Sequence, residues 1–574
     1  MRTVNLRAFP GYFTCCAALL AGCSDSGGPL SNNGGMAGAS TGTSGTTGVS
    51  AGTSSGGGNT TAAGGPATGG ASSAAGTEAG GGSNSTGGTT VAGSATGGSG
   101  GSEVVGFQRP KGQLPNTARD PANVDVPRDQ WKKDIVSPTM DNLHHHNQPT
   151  VLNGFLNLNG NEEFWFWDIT DPTKPKQMTE YLTPNRNPKG GGKGEGEAES
   201  HCVSYGRYGD KFYEVTTSGH GVDIWDVTDQ AAVKHISQIA LEGIDYGDYT
   251  AAVWGLSWQG NYIYVGGTDT GLHILDAHDP LHVTVAKQLP TSKFGTVSAG
   301  PLDAIGNVLV ITTPKESAGI ATMDISDPLN PVYMHSIKPT AKSYIGQFYR
   351  HYVFLQSPLR AWDVLTDPYN IGKADMPLSS VTTPGSEYLS FGDNNLFLGR
   401  LRPDGGATVY DVTDPSKGII KKSTVWGRLD LDGLNDDQFS IMIGNLLVLG
   451  DDQEPYAGTV IAQWAAAPDT KPPVVDTVSP KDKATGQSVK SRIGISFTDN
   501  IEFVTVNAAS FIVREVGGQP LKGTWGSRMG VVNFSPNEDL KPATTYEVVL
   551  PKGGITDLVQ NGIAEEFKST FTTK

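Results

Sequence analysis

The apolar residues of this chain fall into short alternating runs, and the runs come in pairs. The stretches "FLNLNGNEEFWFWD" (155–168), "FYEVTTSGHGVDIWD" (212–226), "YIYVGGTDTGLHILD" (262–276), "VLVITTPKESAGIATMD" (308–324), "YVFLQSPLRAWD" (352–363) and "LFLGRLRPDGGATVYD" (396–411) each hold two such runs across a polar turn. Alternation of apolar and polar positions on either side of Gly, Asn and Asp predicts β-hairpins. A seventh copy, "LLVLGDDQEPYAGTVIAQW" (446–464), keeps the pattern but ends on Gln463 where the others have Asp. Two further strand-like runs flank each hairpin, which predicts seven four-stranded blades and an all-β, seven-bladed β-propeller.

The hairpins end on a recurring phrase, first seen as Trp-Asp-Ile-Thr-Asp-Pro at 167–172. Its first Asp recurs at 168, 226, 276, 324, 363 and 411, at intervals of 58, 50, 48, 39 and 48 residues. A repeat of that length is the signature of a propeller or solenoid. The residue before the Asp, Trp167 in the first copy, is expected to pack between blades. Both Asp side chains are expected to accept hydrogen bonds from turn N–H groups, and Pro to end the ladder. A calcium loop is disfavoured, because few oxygen ligands lie nearby and no loop Gly follows.

The phrase resembles the LVIVD repeat, a bacterial propeller repeat. The matching residues are Asp168, Asp226, Asp276, Asp324, Asp363 and Asp411, with Pro172, Pro280, Pro328, Pro368 and Pro415. The second copy has Gln230 in place of Pro, and the fifth carries an extra Leu365. The resemblance implies a propeller over 103–470 and no single activity, with an association with cell-surface proteins. The seventh blade lacks a fourth strand of its own. Trp131–Pro138, "WKKDIVSP", resembles the fourth strands elsewhere and is expected to supply it, closing the ring and removing a sheet edge.

Residues 471–574 hold short alternating strands with regular turns, the pattern of a β-sandwich. Ser479-Pro480, Phe534-Ser535-Pro536, Thr545-Tyr546, Ile555-Thr556-Asp557 and Phe571-Thr572-Thr573 resemble the bacterial Ig-like domains of surface-layer proteins of the SbsA type. That resemblance implies a spacer or adhesion module. Separate cores are expected for the two domains, so that removal of 471–574 leaves the propeller folded.

The N-terminal segment changes the picture. Residues 24–102 are almost wholly Gly, Ser, Thr and Ala, with too little apolar surface to offset the entropy of ordering. They predict a disordered tether with an r.m.s. span of about 50 Å. Before it, Arg2 and Arg7 precede a short apolar run, as in a secretion signal over 1–22. Leu20-Ala21-Gly22-Cys23 resembles the lipobox of bacterial lipoproteins. The resemblance implies lipidation of Cys23 and anchoring in the membrane. Ser24 after it favours the outer membrane of the cell envelope. Of the four cysteines, Cys15 and Cys16 would leave with the signal and Cys23 would be acylated, so Cys202 would have no disulfide partner. The net charge of −16 gives no footprint for nucleic acid.

Candidate chemistry is sparse. The loop "NPKGGGKGEGEAE" (187–199) lacks the Gly-Lys-Ser/Thr ending of a phosphate loop and reads as a solvated insertion. No zinc-protease or dinucleotide fingerprint is present. In "LHHHNQP" (143–149) a strand would place His144 and His146 on one face, and in "EAESHC" it would align Glu199 and His201. If these line neighbouring inner strands, they suit a divalent transition metal. Asp248, Tyr249, Tyr344, Glu387 and Asp437 are further candidates to line the channel. The other reading of all these residues is a hydrated polar channel. The sequence therefore points to a surface lipoprotein that binds an extracellular or periplasmic protein or polysaccharide through its propeller. A metal-dependent enzyme at the channel mouth and a purely structural spacer remain the alternatives.

Overall fold

The computed structural model describes residues 134–140, 148–159, 163–182, 202–245, 248, 250–314, 319–340, 346–383, 388–400, 405–427, 437–451, 458–465 and 467–574. All belong to one compact unit, Ser94–Lys574. Cys23, the tether, His144, His146, Glu199, His201, Tyr249, Tyr344 and Glu387 lie outside the described residues, as do residues 131–133. Among the described residues no helix is long and apolar enough to cross a membrane.

The chain is all-β. The repeats form antiparallel units whose strands pair in sequence order, spanning 150–182, 204–240, 255–289, 302–337, 346–381, 389–425 and 437–463 (units 1 to 7). The first six have four strands each and the seventh has three. First strands of successive units adjoin one another from unit 2 to unit 7. Beside the last strand of unit 7, Thr459–Gln463, runs the segment 134–140. Ile135 bridges Ala462, the Val136 N–H donates to the Ile461 carbonyl at 2.9 Å, and the Gln463 N–H donates to the Asp134 carbonyl at 2.7 Å.

The repeated phrase works through local chemistry. In each of the six copies both aspartates accept a hydrogen bond from the backbone two residues on: Asp168 from the Thr170 N–H at 2.9 Å and Asp171 from the Thr173 N–H at 3.0 Å in the first. The same pairs recur at Asp226 and Asp229, Asp276 and Asp279, Asp324 and Asp327, Asp363 and Asp367, and Asp411 and Asp414. These Asx turns satisfy N–H groups that leave the ladder where the chain reverses. The extra Leu365 is absorbed by Asp363, which accepts from both the Leu365 and Thr366 N–H groups. Gln230, at the position of the missing Pro, donates to the Val227 carbonyl and accepts from Asn153 of unit 1. In five units the pairing of third and fourth strands slips immediately before the residue that precedes the first Asp, as between Phe166 and Trp167. A bulge there increases the local twist.

That preceding residue joins one unit to the one before it. Trp225 stacks on Phe164 of unit 1, ring centroids 4.8 Å apart. Leu275 shares a buried cluster with unit 2, Met323 with unit 3, Trp362 with unit 4, Tyr410 with unit 5 and Ala462 with unit 6. Trp167 of unit 1 shares one with Ile441 and Ile443 of unit 7.

The C-terminal segment forms two sheets. One holds Ala484–Gln487, Phe567–Thr573, Thr545–Leu550 and Ile512–Glu515. The other runs Val475–Ser479, Ile493–Phe497, Val531–Pro536, Gly523–Arg528 and continues directly into unit 2 through Ser204–Tyr208. Trp525 pairs with Arg207, Gly526 with Gly206 and Ser527 with Tyr205. Both glycines are required at this crossing, because a Cβ on either would strike Trp258. The expectation of separate cores is therefore corrected. Phe164, Phe166, Tyr205 and Trp225 of units 1 and 2 lie in one buried cluster with Phe497, Phe503, Trp525 and Phe534. An edge strand on each side had unpaired N–H and C=O groups, and joining them buries both edges.

Candidate functional site: a sealed end and an open end

Strand alternation gives the repeat region two ends. In every unit the turn from first to second strand emerges at one end, as does the turn from third to fourth in units 1 to 6. The second strands end and the third strands begin at the other.

The C-terminal domain covers the first end, unit by unit. The N–H groups of Asn153 and Gly154 donate to the Glu502 carboxylate at 2.9 and 2.7 Å. Arg207 donates to the carbonyls of Val504 and Val506 at 2.9 and 2.8 Å. Asn261 accepts from Thr524 at 2.8 Å, and the Gly306 N–H donates to Asn533 at 2.8 Å. Arg350 and His351 both reach the Asp476 carboxylate, at 2.7 and 2.6 Å. Lys471 pairs with Asp393 at 2.5 Å, and Gly444 lies against Val559. Even the repeated phrase takes part, since Lys490 reaches Asp327 at 3.0 Å.

At the centre of this end the hairpin carrying Arg528 and Met529 meets the first strands. Arg528 Nη1 donates to both oxygens of Asp303 at 2.7 Å, Nη2 to Gln347 at 3.3 Å, and Nε to the Cys202 sulfur at 3.0 Å. These groups are buried; Arg528 is 5 % and Asp303 3 % exposed. Burial alone would lower the Arg528 pKa, but the Asp303 carboxylate outweighs it and holds the guanidinium charged. Burial pushes the Cys202 thiol up, so the sulfur stays protonated and serves as an acceptor. A water-sized cavity lined by Gln148, Asp303, Gln347, Tyr349 and Met529 adjoins the pair.

Three carboxylates, Asp469, Asp499 and Asp557, have oxygens within 4.8 Å of one another beside this joint, the one such group among the described residues. An all-oxygen donor set of this kind matches hard cations rather than transition metals. Burial, followed by the neighbouring carboxylates, pushes Asp499 well up. Burial carries Asp557 to about 7 against three hydrogen bonds from Val559 and Asn561.

At the opposite end the described residues 241–245, 248 and 250–254 lie between the last strand of unit 2 and the first strand of unit 3. Asp248 lies there, exposed, in a turn ahead of the first strand Gly255–Gln259 rather than within a first strand. Its carboxylate accepts the Thr250 N–H at 2.8 Å. Asp437 opens the first strand of unit 7, paired in register with Asp451. Sequence reasoning missed Arg528, Asp303 and the role of Cys202. The sole signal available was a cysteine left without a disulfide partner.

Residues 469–573 match the family described as bacterial Ig-like domain, and residues 252–290 match the LVIVD repeat. A search of curated proteins returned no match. Among solved structures the chain is similar to the computationally designed Ika8 protein, at 12 % identity over 57 % of this chain and 99 % of that one, TM-score 0.37. It is also similar to U3-55K and to the WD40 repeats of RRP9, each at 10 % identity over 57 % of this chain and 97 % of that one, TM-score 0.39. At these scores the structural likenesses carry no weight below. An LVIVD repeat together with a bacterial Ig-like domain suggests a surface or binding module.

Proposed function

We propose that this protein is a lipid-anchored binding module of the cell envelope. In this reading Cys23 holds it in the outer membrane, residues 24–102 tether it, and units 1 to 7 are the blades of a closed propeller. The C-terminal domain, of the surface-layer kind, seals one end. The other end binds an extracellular or periplasmic protein or polysaccharide. The cluster joining Trp167 to unit 7 and the bridge between Ile135 and Ala462 support closure.

The observation that carries the binding site is the sealing itself. Every first-to-second turn lies against the C-terminal domain, so we assign binding to the other end. The test uses the chain from Ser102 onward, offered purified cell-wall polysaccharide and isolated envelope proteins. Shortening the connection at 187–199 and replacing Asp248 by Ala should weaken retention at least tenfold, while Lys490→Ala at the sealed end should not. Equal loss from both ends would overturn the assignment. For the anchor, Cys23→Ser should leave an unprocessed precursor, and unchanged detergent-phase partitioning would refute it.

A second reading rests on the sequence positions of His144, His146, Glu199 and His201, which precede the first strands of units 1 and 2. A divalent transition metal held there would make the open end an enzyme site. Elemental analysis of untagged protein, with and without His146 and His201, decides it.

A further inference from the structure

Glu214 is a carboxyl group that neither fold nor proposed binding site accounts for. It sits on the second strand of unit 2, Lys211–Ser218, and is 0 % exposed. Across the seam, the second strand of unit 1, Phe155–Asn159, presents Asn157 and Asn159 to it. Asn157 Nδ2 lies 2.7 Å from both Glu214 oxygens and 2.9 Å from the Tyr205 hydroxyl, which in turn lies 2.7 Å from Thr150 Oγ1. Asn159 Nδ2 reaches the same carboxyl at 3.4 Å. The amide oxygens of Asn157 and Asn159 are both buried with no hydrogen-bond partner.

Among the described residues no cation answers the carboxyl. On the face of unit 2 that carries it, Tyr205 is the adjacent titratable group, and Asp223 farther along is held by His235 at 2.9 Å. Arg207 spends its guanidinium on the carbonyls of Val504 and Val506. From the C-terminal domain, Glu502 faces Tyr205 with its carboxylate taken by Asn153 and Gly154. From unit 1 come the two amides and the rings of Phe164 and Phe166. Among the described residues a charged carboxylate here has amide donors and no counter-ion, while two amide acceptors stand empty beside it. That arrangement offers two hydrogen-bonded states. Ionised, Glu214 accepts from Asn157 Nδ2. Protonated, it donates its O–H to Asn157 Oδ1 once that amide turns over, which satisfies the orphaned acceptor while Nδ2 gives up the Glu214 and Tyr205 oxygens.

We propose that Glu214 is a proton-operated switch in the seam between units 1 and 2, changing its hydrogen-bond partner on Asn157 as it gains or loses a proton. Burial, against the hydrogen bonds of Asn157, Asn159 and Tyr205, carries its pKa to about 8. Because the folded pKa is raised, the folded chain holds a proton that the unfolded chain has released. The stabilisation is complete below the ordinary glutamate range near 4.3 and is lost as pH rises through about 8.

The test uses the intact chain with glutamate side-chain carboxyls labelled with ¹³C. One glutamate resonance should titrate near pH 8, and Glu214→Gln should remove that resonance. Urea midpoints followed from pH 5.5 to 8.5 should fall by up to one proton's worth in wild type and lose that component in Glu214→Gln. If every glutamate resonance titrates below pH 5.5, the proposal is wrong, and that measurement needs no variant to fold. A pH slope of the same size in Glu214→Gln and wild type would equally overturn it.

Discussion

Replacing Arg528 by Met removes the positive half of the buried pair at the sealed end. Asp303 would keep its carboxylate at 3 % exposure with no counter-charge, and Cys202 and Gln347 would lose a donor. Breaking a buried pair by removing one partner costs about 3–5 kcal/mol. Because burial already pushes the Asp303 pKa up and only Arg528 restrains it, the orphaned carboxyl will protonate, which places Arg528→Met at the lower end near neutral pH. The cost should shrink further as pH falls, since protonation then comes without penalty. The double variant Arg528→Met with Asp303→Leu should recover most of the loss, because an apolar pair of similar volume avoids burying either charge. Urea unfolding of the full chain, run as a double-mutant cycle at pH 8 and pH 5.5, measures the coupling. A loss below about 1 kcal/mol for Arg528→Met, the range of an exposed pair, would refute the reasoning. So would a double variant as unstable as the sum of the singles.

Removing residues 471–574 should leave a repeat region that aggregates or unfolds without a cooperative transition, because Phe164, Tyr205 and Trp225 lose the apolar cluster they share with that segment; a sharp thermal transition would show that the units stand alone. Asp499→Asn should stabilise the protein more at pH 8 than at pH 5, because burial and the neighbouring carboxylates raise the Asp499 pKa and folding must take up a proton that the unfolded chain releases ever more completely as pH rises. Equal urea midpoint shifts at the two pH values would contradict this. A chain beginning after Pro138 should melt earlier than one beginning at Ser102, since Ile135 and Val136 lie along the last strand of unit 7. Matching differential-scanning traces would dismiss that role.

The local grammar of the repeat was open to reading from sequence. Asp276 and Asp324 act on N–H groups two residues away, so their chemistry is complete within the phrase. Alternation alone likewise predicted the hairpins, because a strand exposes its two faces at every second residue. Gln230 and Leu365 were visible as departures from the phrase, but not what they do, since Gln230 answers Asn153 across a seam. The sealed end was beyond such reading. Arg528 meets Asp303, and Glu502 meets Asn153, across more than two hundred residues, and nothing near either partner in sequence marks it for the other. Glu214 is one polar residue within the run "FYEVTTS", and only the packing of unit 1 upon unit 2 makes it a buried carboxyl. Sequence by itself therefore determined the repeat, its turns and the all-β class, which depend on period and on bonds to near neighbours. Tertiary structure alone decided that the C-terminal sandwich shares the repeat region's core, which end of the units that sandwich covers and which charges lie buried. Those outcomes depend on surfaces that exist only once each part has folded.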